Sequence, residues 1–208
     1  EKNKNRIWCV SNMRYHPGFI ELKNNLKNLG KIYSTIAHFS HRISQTRPAT
    51  TNIFAAQKDE VGVILDCVHE IDLSNRLFGK LSFINSWTAS LGNEKTDAED
   101  FAQLQMISEK GVHISIHLDF LSRWKSRGIK IVGENATAIW ESHGKNPELA
   151  SVKILSKEGV IEEILDNITI SSVLVYKEML LDFTSNCEEL QTVTEAFDTL
   201  SIALKAKS

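Results

Sequence analysis

The sequence has few of the residues that mark disulfide-rich or cysteine-based metal-binding proteins. It holds three cysteines in 208 residues, Cys9, Cys67 and Cys187. These are too few and too scattered for a disulfide framework or a paired-cysteine metal site. A reducing, cytoplasmic compartment is therefore the simplest expectation. The chain also lacks an apolar run of about 18 residues and any signal-peptide pattern, so we expect no membrane span.

The sequence also lacks an excess of either positive or negative charge. The formal net charge is −2, the two signs are interspersed, and the densest basic stretch is the short segment 123–127. A chain without a basic patch has no electrostatic footprint for a phosphate backbone, so we predict no nucleic-acid partner. No Gly-x-Gly-x-x-Gly turn follows a predicted strand, which excludes a dinucleotide fingerprint in the sequence as it stands.

Apolar residues make up 42% of the chain, enough for a sizeable core in one domain. Helical spacing predicts helices at residues 17–29, 60–78, 171–186 and 192–205, and the polar, aperiodic segment 40–58 indicates a long loop. The predicted strands span residues 6–11, 32–39, 81–90, 99–108, 112–121, 128–133, 136–141, 151–156 and 160–165. From residue 81 the strands follow one another as an antiparallel meander. Helices beside one large, mostly antiparallel sheet make an α+β domain.

Two ionisable residues, Asp66 and His69, lie three positions apart in the predicted helix 60–78, so their side chains share one face. The helix is otherwise apolar, and burying such groups costs free energy unless they are paired or functional. As a functional pair, the carboxylate would orient the imidazole while the imidazole moved a proton to or from a substrate hydroxyl. The alternative is a helix carboxylate beside a satisfied core histidine.

A second polar set alternates with apolar residues along the predicted strand 112–121. His113, Ser115, His117 and Asp119 therefore line one face of that strand. The set could bind a metal ion, but its spacing fixes no further ligand, and most such faces are solvated or lie in an interface. We predict no metal site.

Two arginines, Arg14 and Arg47, lie beside the chain bends expected at Pro17 and Pro48. A guanidinium group binds anions and sugar hydroxyls through its forked donors, so both are candidate substrate contacts. Surface arginine is the commoner outcome for either. The tryptophans of the predicted sheet are expected to pack rather than to stack on a ligand: Trp87, Trp124 and Trp140.

Several motifs occur in a fixed order along the chain. They are Asn12-Met13-Arg14-Tyr15-His16-Pro17, Leu29-Gly30-Lys31-Ile32-Tyr33, Arg47-Pro48, Gly62-Val63-Ile64-Leu65-Asp66-Cys67-Val68-His69-Glu70-Ile71-Asp72 and Leu77-Phe78-Gly79. A strand that ends in Ile131-Val132-Gly133 and two closing helices follow them. This ordered series resembles the Gfo/Idh/MocA oxidoreductases over nearly the whole chain.

The resemblance implies an open sheet with helices packed on one face, in the C-terminal domain that binds substrate and usually makes the homodimer in this family. Residues 1–12 would be the last strand of an N-terminal Rossmann domain, and residues 13–208 the C-terminal domain. An upstream part of about 100–150 residues would hold NAD or NADP and the family's catalytic lysine. The isolated chain is therefore expected to be inactive.

The resemblance also implies a reaction, namely hydride transfer between a nicotinamide ring and a carbon bearing a hydroxyl or carbonyl. The substrate would be a sugar, nucleotide sugar or cyclitol. His69 matches the family's acid/base histidine, and Asp66 matches the carboxylate that assists it or binds a substrate hydroxyl. The Asp-x-x-His-Glu-Ile-Asp form is similar to members associated with surface-sugar biosynthesis.

The chain departs from the family pattern before this helix. The family usually has two or three glycines where this chain has Glu60-Val61-Gly62, and relatives often carry Arg and Tyr where Thr51 and Phe54 stand here. Glycines let the backbone approach a ligand closely. The departures leave open a second interpretation, a non-catalytic sugar-binding or oligomerisation module on the same scaffold.

Overall fold

The computed structural model of the chain describes residues 7–46, 61–92 and 98–208. The strands are β1 (Trp8–Cys9), β2 (Ile32–Ser40), β3 (Leu81–Ala89), β4 (Phe101–Ser108), β5 (His113–Asp119), β6 (Ser126–Gly133), β7 (Ala136–His143), β8 (Glu148–Ser156), β9 (Ile161–Ile170) and β10 (Gln191–Thr192). The α-helices are α1 (Pro17–Asn24), α2 (Ile43–Thr46), α3 (Gly62–Asp66), α4 (His69–Phe78), α5 (Ser172–Thr184) and α6 (Val193–Lys207). Two short 3-10 helices, Asn12–Tyr15 and Leu26–Leu29, flank α1.

Eight strands form one sheet in the order β3-β4-β5-β2-β6-β7-β8-β9. β2 pairs in parallel with β5, and the other neighbours are antiparallel. The predicted α+β class is confirmed. The predicted uninterrupted meander is wrong at one place, because β2 comes from an earlier part of the chain and lies between β5 and β6. Alternation along a strand reports which face is buried, but it does not identify the neighbouring strand.

Helices cover one face of this sheet. α1, α3, α4 and α6 contact its strands, and the core between the two layers includes the fully buried Phe19, Leu22, Ile64, Ile71, Leu104, Ile114 and Trp140. The opposite face carries exposed apolar side chains, among them Ile36 and Trp87, which are 54% and 60% exposed. Among the helices of the described ranges, none is long and apolar enough to cross a membrane.

The helix predicted over residues 60–78 is two helices. α3 ends at Asp66 and α4 begins at His69, so the chain changes direction at Cys67 and Val68. The amides of Glu70 and Ile71 bond to carbonyls three residues back, at 3.5 and 3.1 Å, which is the spacing of a tight turn. The two residues predicted to share one helical face therefore lie on either side of a turn.

The strand near the N-terminus belongs to a separate, two-stranded sheet. β1 pairs antiparallel with β10, with Trp8 opposite Thr192 and Cys9 opposite Gln191. This pairing connects the beginning of the chain to the N-terminus of α6. Residues 1–6 lie outside the described residues, and the domain division after residue 12 stays a prediction.

The three sheet tryptophans differ in environment. Trp140 is fully buried and packs as predicted, whereas Trp87 and Trp124 are 60% and 64% exposed. These two pack at the surface: Trp87, on the uncovered sheet face, contacts the Phe101 ring with 5.1 Å between ring centres. Trp124, in the loop before β6, contacts the His143 ring with 5.8 Å between ring centres.

Candidate functional site

His69 occupies the first position of α4 and is partly buried. Burial, together with the positive charge of Arg127, lowers the pKa of the imidazole to about 4, and the carboxylates of Asp72 and Asp66 offset only part of this effect. The side chain is therefore neutral at physiological pH. A neutral imidazole can accept a proton from a hydroxyl group.

A buried ion pair lies beside His69. Nε of Arg127 donates a hydrogen bond of 2.6 Å to Oε1 of Glu70, and the Glu70 side chain is 1% exposed. The Arg127 guanidinium also stacks 4.0 Å from the centre of the Phe39 ring. Burial raises the pKa of Glu70 against the opposing effect of Arg127. Sequence reasoning treated Arg127 as part of an ordinary basic cluster and missed this contact, because Glu70 lies 57 residues away.

Arg127 lines a cavity of about 210 Å³ between the first 3-10 helix, the sheet and the N-terminus of α5. Polar groups of its wall include Asn12, His16, Lys125, Asn146, Glu148, Ser172 and Tyr176. Such a set of amide, hydroxyl, imidazole and charged groups offers both donors and acceptors to a polyhydroxylated ligand. Arg127 links this cavity to the start of α4, because it bonds to Glu70 and its charge acts on His69.

Glu148 organises the charges in this cavity. Its Oε1 accepts a bond of 3.0 Å from Nε2 of His16, and its Oε2 lies 3.1 Å from Nζ of Lys125. Burial alone would raise the pKa of Glu148, but these two partners outweigh it and lower the pKa to about 2. Burial lowers the pKa of His16. The amide of Gly18 donates to Nδ1 of His16 at 3.0 Å, so the proton of the neutral ring is on Nε2 and points to Glu148.

Arg14, predicted as a substrate contact, is instead held inside the protein. The side chain is 1% exposed, and its Nε and Nη2 donate to the two carboxylate oxygens of Asp72 at 2.9 and 2.6 Å. Asp72 also accepts hydrogen bonds from Ser11 and, at 2.7 Å, from Gln191. We therefore correct the assignment of Arg14 to a structural ion pair that joins α4 to the segment before α1. Arg47, the other predicted contact, lies outside the described residues.

Asp66 lies close to two residues other than His69. One potential ligand atom each of His41, Asp66 and Cys67 lies within 4.8 Å of the other two. In the described ranges no hydrogen bond joins Asp66 to His69, although the Asp66 charge acts on the His69 pKa. The three donor types are ones that zinc accepts, but each residue already has an interaction partner in the protein, which accounts for the cluster without an ion. We assign no metal site here.

The polar strand face formed by His113, Ser115, His117 and Asp119 has a structural explanation. Nε2 of His117 lies 2.9 Å from Oδ2 of Asp119, whose other oxygen accepts the amides of Leu121 and Ser122 at 2.9 and 2.7 Å. Burial opposes these bonds, and a bond from Ser40 adds to them, so that the pKa of Asp119 falls to about 2. Asp119 thus fixes the turn after β5, while His113 is exposed.

Taken together, the open-faced mixed sheet, its helical layer and the partly buried histidine at the start of α4 define a two-layer α+β domain with a polar cavity at one end. Residues 25–139 match the family model of the GFO/IDH/MocA C-terminal domain. The chain therefore belongs to the GFO/IDH/MocA family. No curated protein sequence matches it significantly.

Solved structures with the same fold are oxidoreductases. An oxidoreductase from Agrobacterium radiobacter in complex with NAD+, L-tartaric acid and magnesium has a TM-score of 0.74 at 14% identity, over 97% of this chain and 61% of that one. The WlbA dehydrogenase from Bordetella pertussis, in complex with NADH and UDP-GlcNAcA, has a TM-score of 0.67 at 20% identity, over 97% and 59%. UDP-N-acetylglucosamine 3-dehydrogenase GnnA from Acidithiobacillus ferrooxidans has a TM-score of 0.68 at 16% identity, over 95% and 58%. This chain thus spans about 60% of the length of the structures that it matches.

Proposed function

We propose that the chain is the substrate-binding domain of an NAD(P)-dependent oxidoreductase that acts on a sugar, nucleotide sugar or cyclitol. The observation that carries this proposal is the position of His69. It is a neutral, partly buried imidazole at the start of α4, next to the Glu70–Arg127 ion pair, whose arginine lines the polar cavity. Membership of the GFO/IDH/MocA family supports the same assignment.

The chain itself offers no dinucleotide-binding turn, so the cofactor would be held by an upstream domain. Solved relatives are longer than this chain, and two of those described above contain NAD+ or NADH. These features support the division into a strand at residues 1–12 that completes a Rossmann domain and a C-terminal domain at 13–208. The cofactor's chemistry is to exchange a hydride with the carbon that bears the substrate oxygen.

The contribution of this chain is to bind the sugar and to move a proton. Groups around the cavity bind hydroxyls, and His69 takes the proton of the hydroxyl that is oxidised, or returns it in the reverse direction. The charge of Arg127 favours the neutral ring, which is the form that accepts a proton. Asp66 would support this step through its charge, since it is not hydrogen-bonded to His69.

A homo-oligomer is part of the same proposal. The uncovered sheet face carries Ile36, Trp87 and Leu155, each at least 41% exposed. An apolar surface of this kind is typical of a contact between protein chains. We propose that a second copy of the chain covers it.

Two observations favour a second candidate, a non-catalytic sugar-binding module. Only Gly62 of the usual glycine run is present before α3, and Asp66 groups with His41 and Cys67 instead of bonding to His69. Such a module would bind sugar in the same cavity without turnover.

Turnover by the full-length protein distinguishes the two candidates. We expect oxidation of at least one member of a panel of sugars and nucleotide sugars, followed as NADH or NADPH absorbance, and a loss of at least about 100-fold in kcat in His69→Gln. His113→Gln, on the exposed strand face, is the matched control and should keep full activity. Sugar binding without turnover would support the module instead. Activity that survives His69→Gln would remove His69 from the reaction.

A further inference from the structure

Arg127 retains hydrogen-bonding capacity that the protein does not use. Its side chain is 9% exposed, and Nε is bonded to Glu70. Within the described ranges, Nη1 and Nη2 make no hydrogen bond, and neither is sealed from solvent. The Arg127 guanidinium is thus nine-tenths buried and keeps unused donors at an accessible edge. Arg14 differs, because its guanidinium nitrogens bond to Asp72, Glu189 and Glu195.

The unused donors border empty space. Arg127 lines the cavity of about 210 Å³ described above, and it also lines a second cavity of about 260 Å³ with His38, Trp124, Ser126, Glu141, Ser142 and His143. Arg127 therefore borders two open volumes at this end of the sheet. Glu70 and the Phe39 ring hold the guanidinium in place from the protein side.

The other charges of the first cavity are already matched. Glu148 is neutralised by Lys125 and bonded to the neutral His16, so its carboxylate does not compete for Arg127. Glu70 takes one edge of the guanidinium only. A group with two adjacent acceptor oxygens fits the remaining edge, because carboxylate and phosphate both accept the forked donors in pairs.

We propose that Arg127 anchors an anionic group of the substrate, a carboxylate or a phosphate carried by the sugar. This inference rests on the proposed function and narrows it, because it names the class of sugar as an acidic one. Arg127 binds the anion, and the sugar ring extends along the cavity wall toward His69.

The test compares acidic sugars with neutral counterparts of the same ring. Binding of glucuronate, galacturonate and glucose 6-phosphate to the full-length protein is measured by calorimetry against glucose, galactose and glucuronamide. We expect at least one anionic sugar to bind at least about tenfold more tightly than its neutral counterpart, because hydrogen bonds to charged groups are stronger than those to neutral groups. The uronates and the sugar phosphate separate carboxylate from phosphate as the source of the charge.

Variants locate the effect at Arg127. Because removing Arg127 alone leaves a buried carboxylate, the main variant is the double substitution Arg127→Gln with Glu70→Gln, which removes both charges. The anionic preference should vanish in it and persist in Arg76→Gln, a surface arginine paired with Glu189.

Equal affinity for glucuronate and glucuronamide, together with no preference for glucose 6-phosphate over glucose in the unmodified protein, would overturn the inference without any variant. A preference that survives the double substitution would overturn it as well. Turnover of neutral sugars only would overturn the inference and leave the proposed function intact. Absence of both sugar binding and turnover would contradict the proposed function itself.

Discussion

Two buried arginines, Arg14 and Arg127, have different roles in this domain, and their hydrogen-bond partners explain the difference. Arg14 binds Asp72 side-on, with Nε and Nη2 each donating to one carboxylate oxygen, and the carboxylate accepts two further hydrogen bonds, from Ser11 and Gln191. Arg127 meets Glu70 through one nitrogen, and among the residues that the structure describes its other two nitrogens have no hydrogen-bond partner. We therefore expect Arg14 to affect stability and Arg127 to affect ligand binding.

Arg14→Met tests the structural role. The substitution leaves the Asp72 charge buried without its cation, which typically costs about 3–5 kcal/mol of unfolding free energy. Urea denaturation measures this loss, and the sugar affinity of the protein that remains folded should not change. Arg76→Met is the control, since a surface pair contributes at most about 1 kcal/mol. An affinity loss without a stability loss would restore Arg14 to the substrate site.

At the scale of elements, the entry into α3 depends on one glycine. Gly62 has a φ of +62°, and a Cβ atom there would overlap the carboxylate of Glu99. That carboxylate lies at the N-terminus of α3, where it accepts the amide of Ile64 at 3.4 Å. The positive φ at position 62 therefore favours glycine for a structural reason, and a side chain there would also displace the Glu99 carboxylate.

Gly62→Ala should destabilise the domain more than Gly79→Ala. Both positions have positive φ, but nothing lies within 4 Å of a Cβ at Gly79, where φ is +80°. Gly79→Ala should lower the unfolding free energy only through backbone strain, by about 1–2 kcal/mol. Gly62→Ala should lower it further, because Glu99 must also be displaced. Thermal or urea denaturation of the two variants gives the comparison. Equal losses would show that Glu99 moves aside freely.

Local sequence patterns predicted the elements well and their arrangement less well. The predicted strand 112–121 is observed as His113–Asp119, and the predicted helix 17–29 begins at Pro17 as expected. Alternation and capping are local properties, so the sequence displays them. The insertion of β2 beside β5 depends on distant strands, and the turn at Cys67 depends on packing against the sheet.

The candidate site shows the same limit. His69 could be selected because its spacing from Asp66 and its apolar surroundings are visible in the sequence. Arg127 could not be selected as a site residue from the sequence. What distinguishes it is its contact with Glu70 and Phe39, which lie in other elements of the fold. Arg14 was selected for its residue type beside a bend, and the burial that assigns it to Asp72 has no local signal.

At the scale of the whole molecule, one sheet face is covered by helices and the other is not. The uncovered face mixes polar residues with exposed apolar ones, and Ile36 lies near its centre on β2. If a second copy covers this face, a charge placed there should separate the copies without unfolding them.

Ile36→Glu should convert a dimer to a monomer in light scattering coupled to size exclusion, with little change in the thermal unfolding temperature. Burying an unpaired carboxylate in an apolar interface is unfavourable. Val173→Glu, at a 72% exposed position on α5, is the control and should remain a dimer. A monomer in the unmodified protein, or a dimer in Ile36→Glu, would contradict this arrangement.

The pH dependence of hydride transfer tests the central claim, that His69 is the neutral base of the reaction. A base works only when deprotonated, and burial and Arg127 hold the His69 pKa at about 4. Single-turnover oxidation by the full-length protein should therefore stay near its maximum as the pH falls from 8 to about 5 and decline only below that. In His69→Ala the rate should drop at least about 100-fold and the acid limb should disappear. An acid limb centred near the ordinary histidine value of about 6.5, or an unchanged rate in His69→Ala, would contradict the account.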